Sequence, residues 1–169
     1  MSLSFWGRSA VLVTTVVLLV GCGETVDSYR GKGLSMSYPR GWTVAENDPA
    51  SLVTFSHANA SLRRVDGVLM VQAQPTVETS LPNIVSANDV AIRALTANQN
   101  IDTQKVTIAG NDTAIWSYDR TDTNNVKTYF RQTLLLHGGQ LYTVTGTFEN
   151  SSGADANVLA SIKSISFTN

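Results

Sequence analysis

Two adjacent glycines, Gly138 and Gly139, separate two long apolar runs, and this pattern constrains the fold more than any other in the sequence. The first run covers 126–137, and the second covers 141–148 with large apolar residues at alternate positions. Two-residue connections rich in glycine are typical of hairpins with primed turns. The pattern therefore predicts a hairpin, and with it an antiparallel sheet.

Alternating apolar and polar residues predict further strands on the amino-terminal side of this hairpin. One of them ends at Pro39-Arg40-Gly41, because proline fixes φ and glycine permits a positive φ. In the stretch 67–74, the side with Leu69, Val71 and Ala73 is the better candidate for the core. The other predicted strands are 34–38, 42–44, 52–56, 104–108 and 113–121, the last with Ala114, Trp116 and Tyr118 opposite Ile115.

The periodicity changes in two segments, which predicts two helices. The first runs from about residue 84 to 98, with Asn98 or Asn100 as a residue tolerant of a C-cap. The second covers 154–165, with Ser152 or Asp155 as its N-cap. Together these elements predict an α+β fold, in which helices flank an antiparallel sheet of about six or seven strands.

Residues 1–21 have the pattern of a signal peptide: a short start with one cation, then an apolar run that is too short to span a bilayer. Leu19-Val20-Gly21-Cys22 resembles the lipobox of bacterial lipoproteins, in which a signal peptidase cuts before a lipidated cysteine. A secreted protein with a chance cysteine and an uncleaved anchor are the alternatives. We expect an acylated Cys22, a tether over 22–28 and a folded domain over 29–169.

Cys22 is the single cysteine, so neither a disulfide nor a thiolate metal cluster is expected. The formal net charge is −1 and there is no basic stripe, which argues against nucleic acid as a partner. The fold must therefore be held by packing, and the sequence indicates no cofactor.

Several stretches resemble PsbP-like domains when taken in order. Tyr38-Pro39-Arg40-Gly41-Trp42 resembles the opening of that family, and Ile108-Ala109-Gly110 leads towards Trp116 and Tyr118 in a similar way. The hairpin of 129–136 and 141–145 resembles the central hairpin of the family, and 159–167 its closing helix and terminal Ser-Phe. The resemblance covers roughly residues 29–168 and implies an α/β/α sandwich.

The resemblance also implies a role. Relatives include the extrinsic P subunit of photosystem II, its cyanobacterial lipoprotein counterpart CyanoP, and envelope lipoproteins of the DcrB type. Most are accessory proteins, so we expect a membrane-anchored, non-enzymatic module that binds a membrane protein. We expect it to face the periplasm, with the outer membrane favoured because Gly23 follows the cysteine, or the thylakoid lumen in a cyanobacterium. A photosystem II assembly factor and a carrier of small molecules or lipids are the alternatives.

Residues that carry chemistry are sparse. His57 and His137 each lie beside a predicted turn and have no metal-binding spacing. Asp112, Asp119 and Asp122 flank turns, where they either hold Ca²⁺ or bond the turn itself; the second is favoured. No catalytic residue and no metal ligand is predicted.

Other features have a structural explanation that we favour over a functional one. Arg63-Arg64 suits an edge or a turn better than a lipid headgroup site. Trp42 and Trp116 suit the core better than a binding surface, and Gly31-Lys32-Gly33 suits a flexible lead-in better than a phosphate loop. A carrier would instead need a cavity lined by residues such as Ile92, Leu95 and Trp116.

Overall fold

A computed structural model of the chain describes residues 26–46, 50–61, 63–149 and 154–168. The predicted signal peptide, lipobox and Cys22 lie outside these residues. Within them, no helix is long and apolar enough to cross a membrane. The strands are β1 (Val26–Gly31), β2 (Leu34–Pro39), β3 (Thr43–Ala45), β4 (Val53–Asn59), β5 (Arg64–Pro75), β6 (Gln99–Ile108), β7 (Asn111–Thr121), β8 (Lys127–His137), β9 (Gln140–Phe148) and β10 (Ser166–Phe167); the helices are α1 (Leu81–Ala94) and α2 (Ala154–Lys163).

The strands form two antiparallel sheets. The large sheet has seven strands in the order β3-β4-β5-β9-β8-β7-β6, and the small sheet has three in the order β1-β2-β10. Helix α1 packs on β7 and β8, whereas α2 packs on β2, β8 and β9. The predicted α+β fold, with seven strands between helical layers, is confirmed, and the small sheet is an addition that the sequence did not predict.

The predicted hairpin lies at the centre of the large sheet. β8 and β9 pair in register from Tyr129↔Phe148 to His137↔Gln140, which leaves Gly138 and Gly139 as a two-residue loop. Both glycines have positive φ, 57° and 74°, as the predicted primed turn requires.

The two faces of the large sheet differ in how they are covered. On one face, α2 and the small sheet enclose the main core, which includes Phe55, Leu69, Val144 and Val158, all fully buried. On the other face, α1 covers a smaller cluster around Trp116 and Leu134. The predicted faces of 67–74 and 113–121 are correct, since Leu69 and Ile115 lie in the main core and Trp116 in the smaller cluster.

Strand β1 was missed, and two predictions change with it. Gly31 ends β1 and pairs with Leu34, and Lys32 and Gly33 form the loop with φ values of 51° and 76°. The predicted flexible lead-in is therefore a tight hairpin. Residues 26–28, predicted as part of the tether, belong to β1 and pair with 37–39, so the folded region begins three residues earlier than predicted.

Helix α1 begins earlier and ends earlier than the predicted 84–98. Pro82 lies in its first turn, where the missing N–H of proline costs no helix hydrogen bond. The helix ends at Ala94 because Leu95 is extended, so Asn98 and Asn100 are not its C-cap. Asn98 still donates to the free carbonyl of Ile92 at 2.6 Å, while Asn100 takes a positive φ at an irregularity in β6.

Helix α2 packs closely on β9 at Gly146. A Cβ atom at this position would collide with Cγ1 of Val158 and lie 3.6 Å from Cδ1 of Leu69. Asp155, one of the two predicted caps, lies in the first turn of α2, and its carboxylate accepts a bond from Arg131 at 2.6 Å. Ser152, the other, lies outside the described residues.

Replacing Gly146 with alanine should therefore destabilise the fold, since an added methyl group overpacks the contact with α2. We expect the free energy of unfolding in urea to fall by about 1–3 kcal/mol. Thr145→Val is the matched control, because Thr145 points to the opposite face of β9 and is half-buried. An equal stability of Gly146→Ala and the wild type would show that α2 does not depend on this close approach.

Candidate functional site

Helix α1 crosses one half of its sheet face and leaves a groove along each side. We call the groove between α1 and strands β5, β8 and β9 the inner groove; it has a volume of about 560 Å³. The outer groove lies between α1 and strands β6 and β7 and has a volume of about 1000 Å³.

The polar side chains of the outer groove are bonded to one another. Oδ1 of Asp89 accepts a hydrogen bond from Nε1 of the fully buried Trp116 at 2.9 Å. Oδ2 of Asp89 accepts from Nε of Arg93, also at 2.9 Å, and Arg93 donates to Thr103. The bond from Arg93, followed by that from Trp116, holds the pKa of Asp89 below its usual range. This network fixes α1 to the sheet and leaves the Asp89 carboxylate occupied.

The inner groove has the opposite character. Its floor is apolar, with Leu134 and Leu141 from the sheet and small residues from α1. Five uncharged polar side chains line it and, in the described part of the chain, none of them makes a hydrogen bond. They are Gln74, Asn83, Asn88, Gln132 and Thr143.

Asn88 is the most confined of these five. Its Nδ2 is closed off from solvent and has no hydrogen-bond partner. Buried amide groups are normally paired, so an unpaired one is a reason to expect a missing partner. Glu78 is the one charged residue in the lining, and its Oε1 already accepts from the backbone N–H of Ser80 at 2.7 Å.

Next to the inner groove, the sheet continues beyond the reach of α1. We call this surface the open face. Its side chains come from β4, β5 and β9, are all half-buried, and carry no charge. Among the described residues, α1 packs mainly on β7 and β8, and the loop before β4 meets the open face at its edge, where Gln72 donates to the carbonyl of Ala50 at 2.9 Å. The open face consists of Thr54, Ser56, Val68, Met70, Gln72, Thr145 and Thr147.

The two histidines lie away from both grooves. Nδ1 of His57 is 2.7 Å from Oδ1 of Asp66, and this bond is the main cause that lowers the pKa of Asp66. The ring of His137 stacks on Phe167, with the ring centres 4.2 Å apart. Each therefore has a partner that explains its position without a ligand.

The three candidate carboxylates do not come together. Asp112 accepts from Thr107, Asp119 accepts from Asn100 and Lys127, and Asp122 accepts from two backbone N–H groups of its own turn. In the described ranges, no group of three or more candidate ligands is arranged to hold a metal ion.

The remaining candidates take structural positions. Arg63 lies exposed in a turn, and Arg64 pairs with Glu149 across the sheet. Trp116 is fully buried, as predicted, and Trp42 is half-buried over Gly67. Of the three residues proposed for a carrier cavity, only Trp116 lines either groove; Ile92 is buried in the core and Leu95 is half-exposed.

The sequence did not predict the inner groove, because its polar residues are single amides on different helices and strands. Gln74 comes from β5, Asn88 from α1 and Gln132 from β8. The open face did leave a signal, since Thr143, Thr145 and Thr147 alternate along β9. Three hydroxyls in a row mark a side of a strand that is not part of the core.

No family model and no curated protein matches this chain, but solved structures do. LpqN of Mycobacterium tuberculosis aligns with a TM-score of 0.61 at 8% identity, over 86% of this chain and 90% of its own. Cyanobacterial PsbP (CyanoP) of Synechocystis aligns with a TM-score of 0.53 at 15% identity, over 87% of this chain and 95% of its own.

The fold is PsbP-like. This confirms, for the fold, the resemblance seen in the sequence. Because the sequence identities are low, the resemblance does not extend to function. A Bacteroides thetaiotaomicron protein also aligns, with a TM-score of 0.55 at 14% identity over 81% of this chain. The chain spans just under half of that protein, 46% of its length.

The Asp89 network gives a prediction for stability and pH. Because the pKa of Asp89 is lowered in the folded state, its ionised form stabilises the fold above the pKa of the unfolded chain. This contribution is lost as the pH falls through the folded pKa. At pH 7, Asp89→Asn should lower the free energy of unfolding by about 1–2 kcal/mol, since a charge-assisted hydrogen bond is lost.

Urea unfolding at pH 7 and at pH 3 measures this effect, and the difference between wild type and Asp89→Asn should shrink at pH 3. Asp112→Asn serves as the control, because Asp112 is exposed and bonds only Thr107 among the described residues. A difference of the same size at both pH values would contradict the assignment.

Proposed function

We propose that this chain is a lipid-anchored, non-enzymatic binding protein of the bacterial envelope, which holds a membrane-protein partner against its open face. It faces the periplasm, with Cys22 acylated and the preceding residues removed. It needs no cofactor.

The short distance between Cys22 and the first strand carries this proposal. Val26, the first residue of β1, is the fourth residue after Cys22. Four extended residues span at most about 14 Å, at ~3.6 Å each. An acyl chain on Cys22 would thus keep the folded domain within that distance of the bilayer, where membrane proteins are the first surfaces it meets.

The open face suits a protein partner. It is a sheet face with hydroxyl, amide and aliphatic side chains and no charge, so a partner can cover it without desolvating an ion. The small sheet and α2 cover the equivalent part of the opposite face.

The structural neighbours support an envelope role. LpqN is described as involved in cell envelope biogenesis, and the alignment with this chain covers 90% of its length. A lipobox before a domain of this fold agrees with an extracytoplasmic position.

The chemistry of the grooves favours binding over catalysis. A general acid or base works best when its pKa lies near the operating pH. The pKa of Asp89, the best-connected carboxylate of the outer groove, is lowered instead, and neither histidine lines either groove.

The anchor can be tested by labelling. Cells that express the tagged chain and receive an alkyne analogue of palmitate should incorporate it into the wild type. Cys22→Ser should lose the label and run as the larger, uncleaved precursor. A labelled Cys22→Ser protein would rule out this cysteine as the acylation site.

The partner can be tested by crosslinking in native membranes, followed by purification of the tagged chain. We expect a membrane protein that is recovered with the wild type and lost with Cys22→Ser. Thr145→Lys should lose it as well, at least tenfold, because a charge at the centre of the open face must be desolvated on binding.

Gln104→Lys is the matched control, since it adds the same charge at an exposed position of β6. Equal recovery with Thr145→Lys and Gln104→Lys, in variants that unfold at the same temperature, would rule out the open face. If the wild type recovers no protein that is absent from the Cys22→Ser sample, the proposed partner is ruled out.

A further inference from the structure

We infer that the inner groove is a binding site for an uncharged glycan that contains N-acetylhexosamine. This goes beyond the partner proposed for the open face, because the lining of the inner groove shares no residue with that face and its smaller extension meets it only at Gln72. Four observations support it: unbonded polar side chains, an apolar floor, the lack of a cation among the described lining residues and the length of the groove.

The first observation is the state of the polar side chains. The five that line the inner groove make no hydrogen bond in the described part of the chain, whereas those of the outer groove bond one another. Carboxamides offer two donors and an acceptor each, so the lining can bind a ligand that is rich in hydrogen-bond donors and acceptors. Sugar hydroxyls and acetamido groups both donate and accept hydrogen bonds.

The floor accounts for the acetyl group. Ala87 and Ala91 on α1 leave space above Leu134 and Leu141, and the surface between them is apolar. An acetamido group has a methyl, a carbonyl acceptor and an N–H donor. Its methyl fits this floor, and its carbonyl and N–H match the accessible carboxamides of Gln74 and Gln132 on the sheet.

The charges exclude most other ligands. Among the described residues, no lysine or arginine lines the inner groove, and its charged side chain, Glu78, is an anion, so a phosphate or carboxylate would have no cation to pair with. Arg93 and Lys105 lie across α1 in the outer groove. A fatty acyl chain is disfavoured as well, because five polar side chains would lose water without gaining a partner.

The groove is long enough for more than one sugar. It continues into a smaller pocket of about 180 Å³, which shares Gln74, Leu141 and Thr143 with it and extends over Gln72 and Ala73. The site is therefore an open trough that lies across β9 and β5, which suits a linear chain rather than a single monosaccharide.

Calorimetric titration of the full lipidated chain tests this inference, in a detergent without a sugar headgroup. The probe is chitohexaose, the β-linked hexamer of N-acetylglucosamine. Cellohexaose is the matched control ligand, since it has the same length and linkage without acetamido groups. We expect chitohexaose to bind at least tenfold more tightly than cellohexaose.

Variants locate the site. Gln74→Leu and Gln132→Leu should each weaken chitohexaose binding at least tenfold, and the nearly isosteric Thr143→Val should weaken it threefold or more without loss of the fold. Ser86→Ala, in the outer groove, should bind as the wild type does. Failure of chitohexaose to bind, equal binding of cellohexaose, or unchanged binding by folded Thr143→Val and Gln132→Leu would each overturn the inference, and none of these outcomes touches the partner of the open face.

Discussion

One hydrogen bond, added to the apolar packing of Leu81 and Ile92 on the sheet, fixes the position of α1. The indole of Trp116 is fully buried, and its N–H needs an acceptor in a place that water does not reach. Asp89 supplies this acceptor from α1 at 2.9 Å and is itself held by Arg93, one turn further along the helix. The helix is thus fixed over β7 and β8, and both grooves and the open face follow from that placement.

The large sheet is asymmetric as a consequence. One face is closed by α2 and the small sheet, which approach so closely that a glycine is required at position 146. In the part of the chain that the structure describes, the other face has a single helix for seven strands. The closed face provides stability, so the residues of the other face are free to be polar and half-exposed. Binding surfaces are commonly placed on a rigid scaffold in this way.

Patterns that act over short distances were predictable from the sequence. The hairpin at Gly138-Gly139 and the burial of Leu69 and Trp116 follow from local periodicity, and the structure confirms them. Strand β1 was missed because its alternation is weak and Gly31-Lys32-Gly33 was interpreted as flexible. The start of α1 was missed because its apolar periodicity begins only at Ile84, whereas the helix begins at Leu81 with Pro82 in its first turn.

The grooves were not predictable in the same way. Asn88 and Gln132 line one groove although 44 positions separate them, and a lone amide in a sequence carries no sign of what will face it. The residues that did attract attention, the histidines and the carboxylates near turns, were found bonded to or stacked on their neighbours, although Oδ1 of Asp119 is buried without a partner. Residue type alone therefore did not identify the candidate binding residues. What distinguished them in the structure was the lack of a hydrogen-bond partner.

The pairing of β10 with β2 bears on how the chain reaches its native state. The hydroxyls of Ser35 and Ser166 are 2.8 Å apart, although 131 positions separate them along the chain. Contacts between such distant residues form late, because the entropy of closing a long loop opposes them. The seven strands of the large sheet all precede α2, so they can pair before β10 is available. The small sheet is then completed last, when Ser166 and Phe167 join the edge of β2.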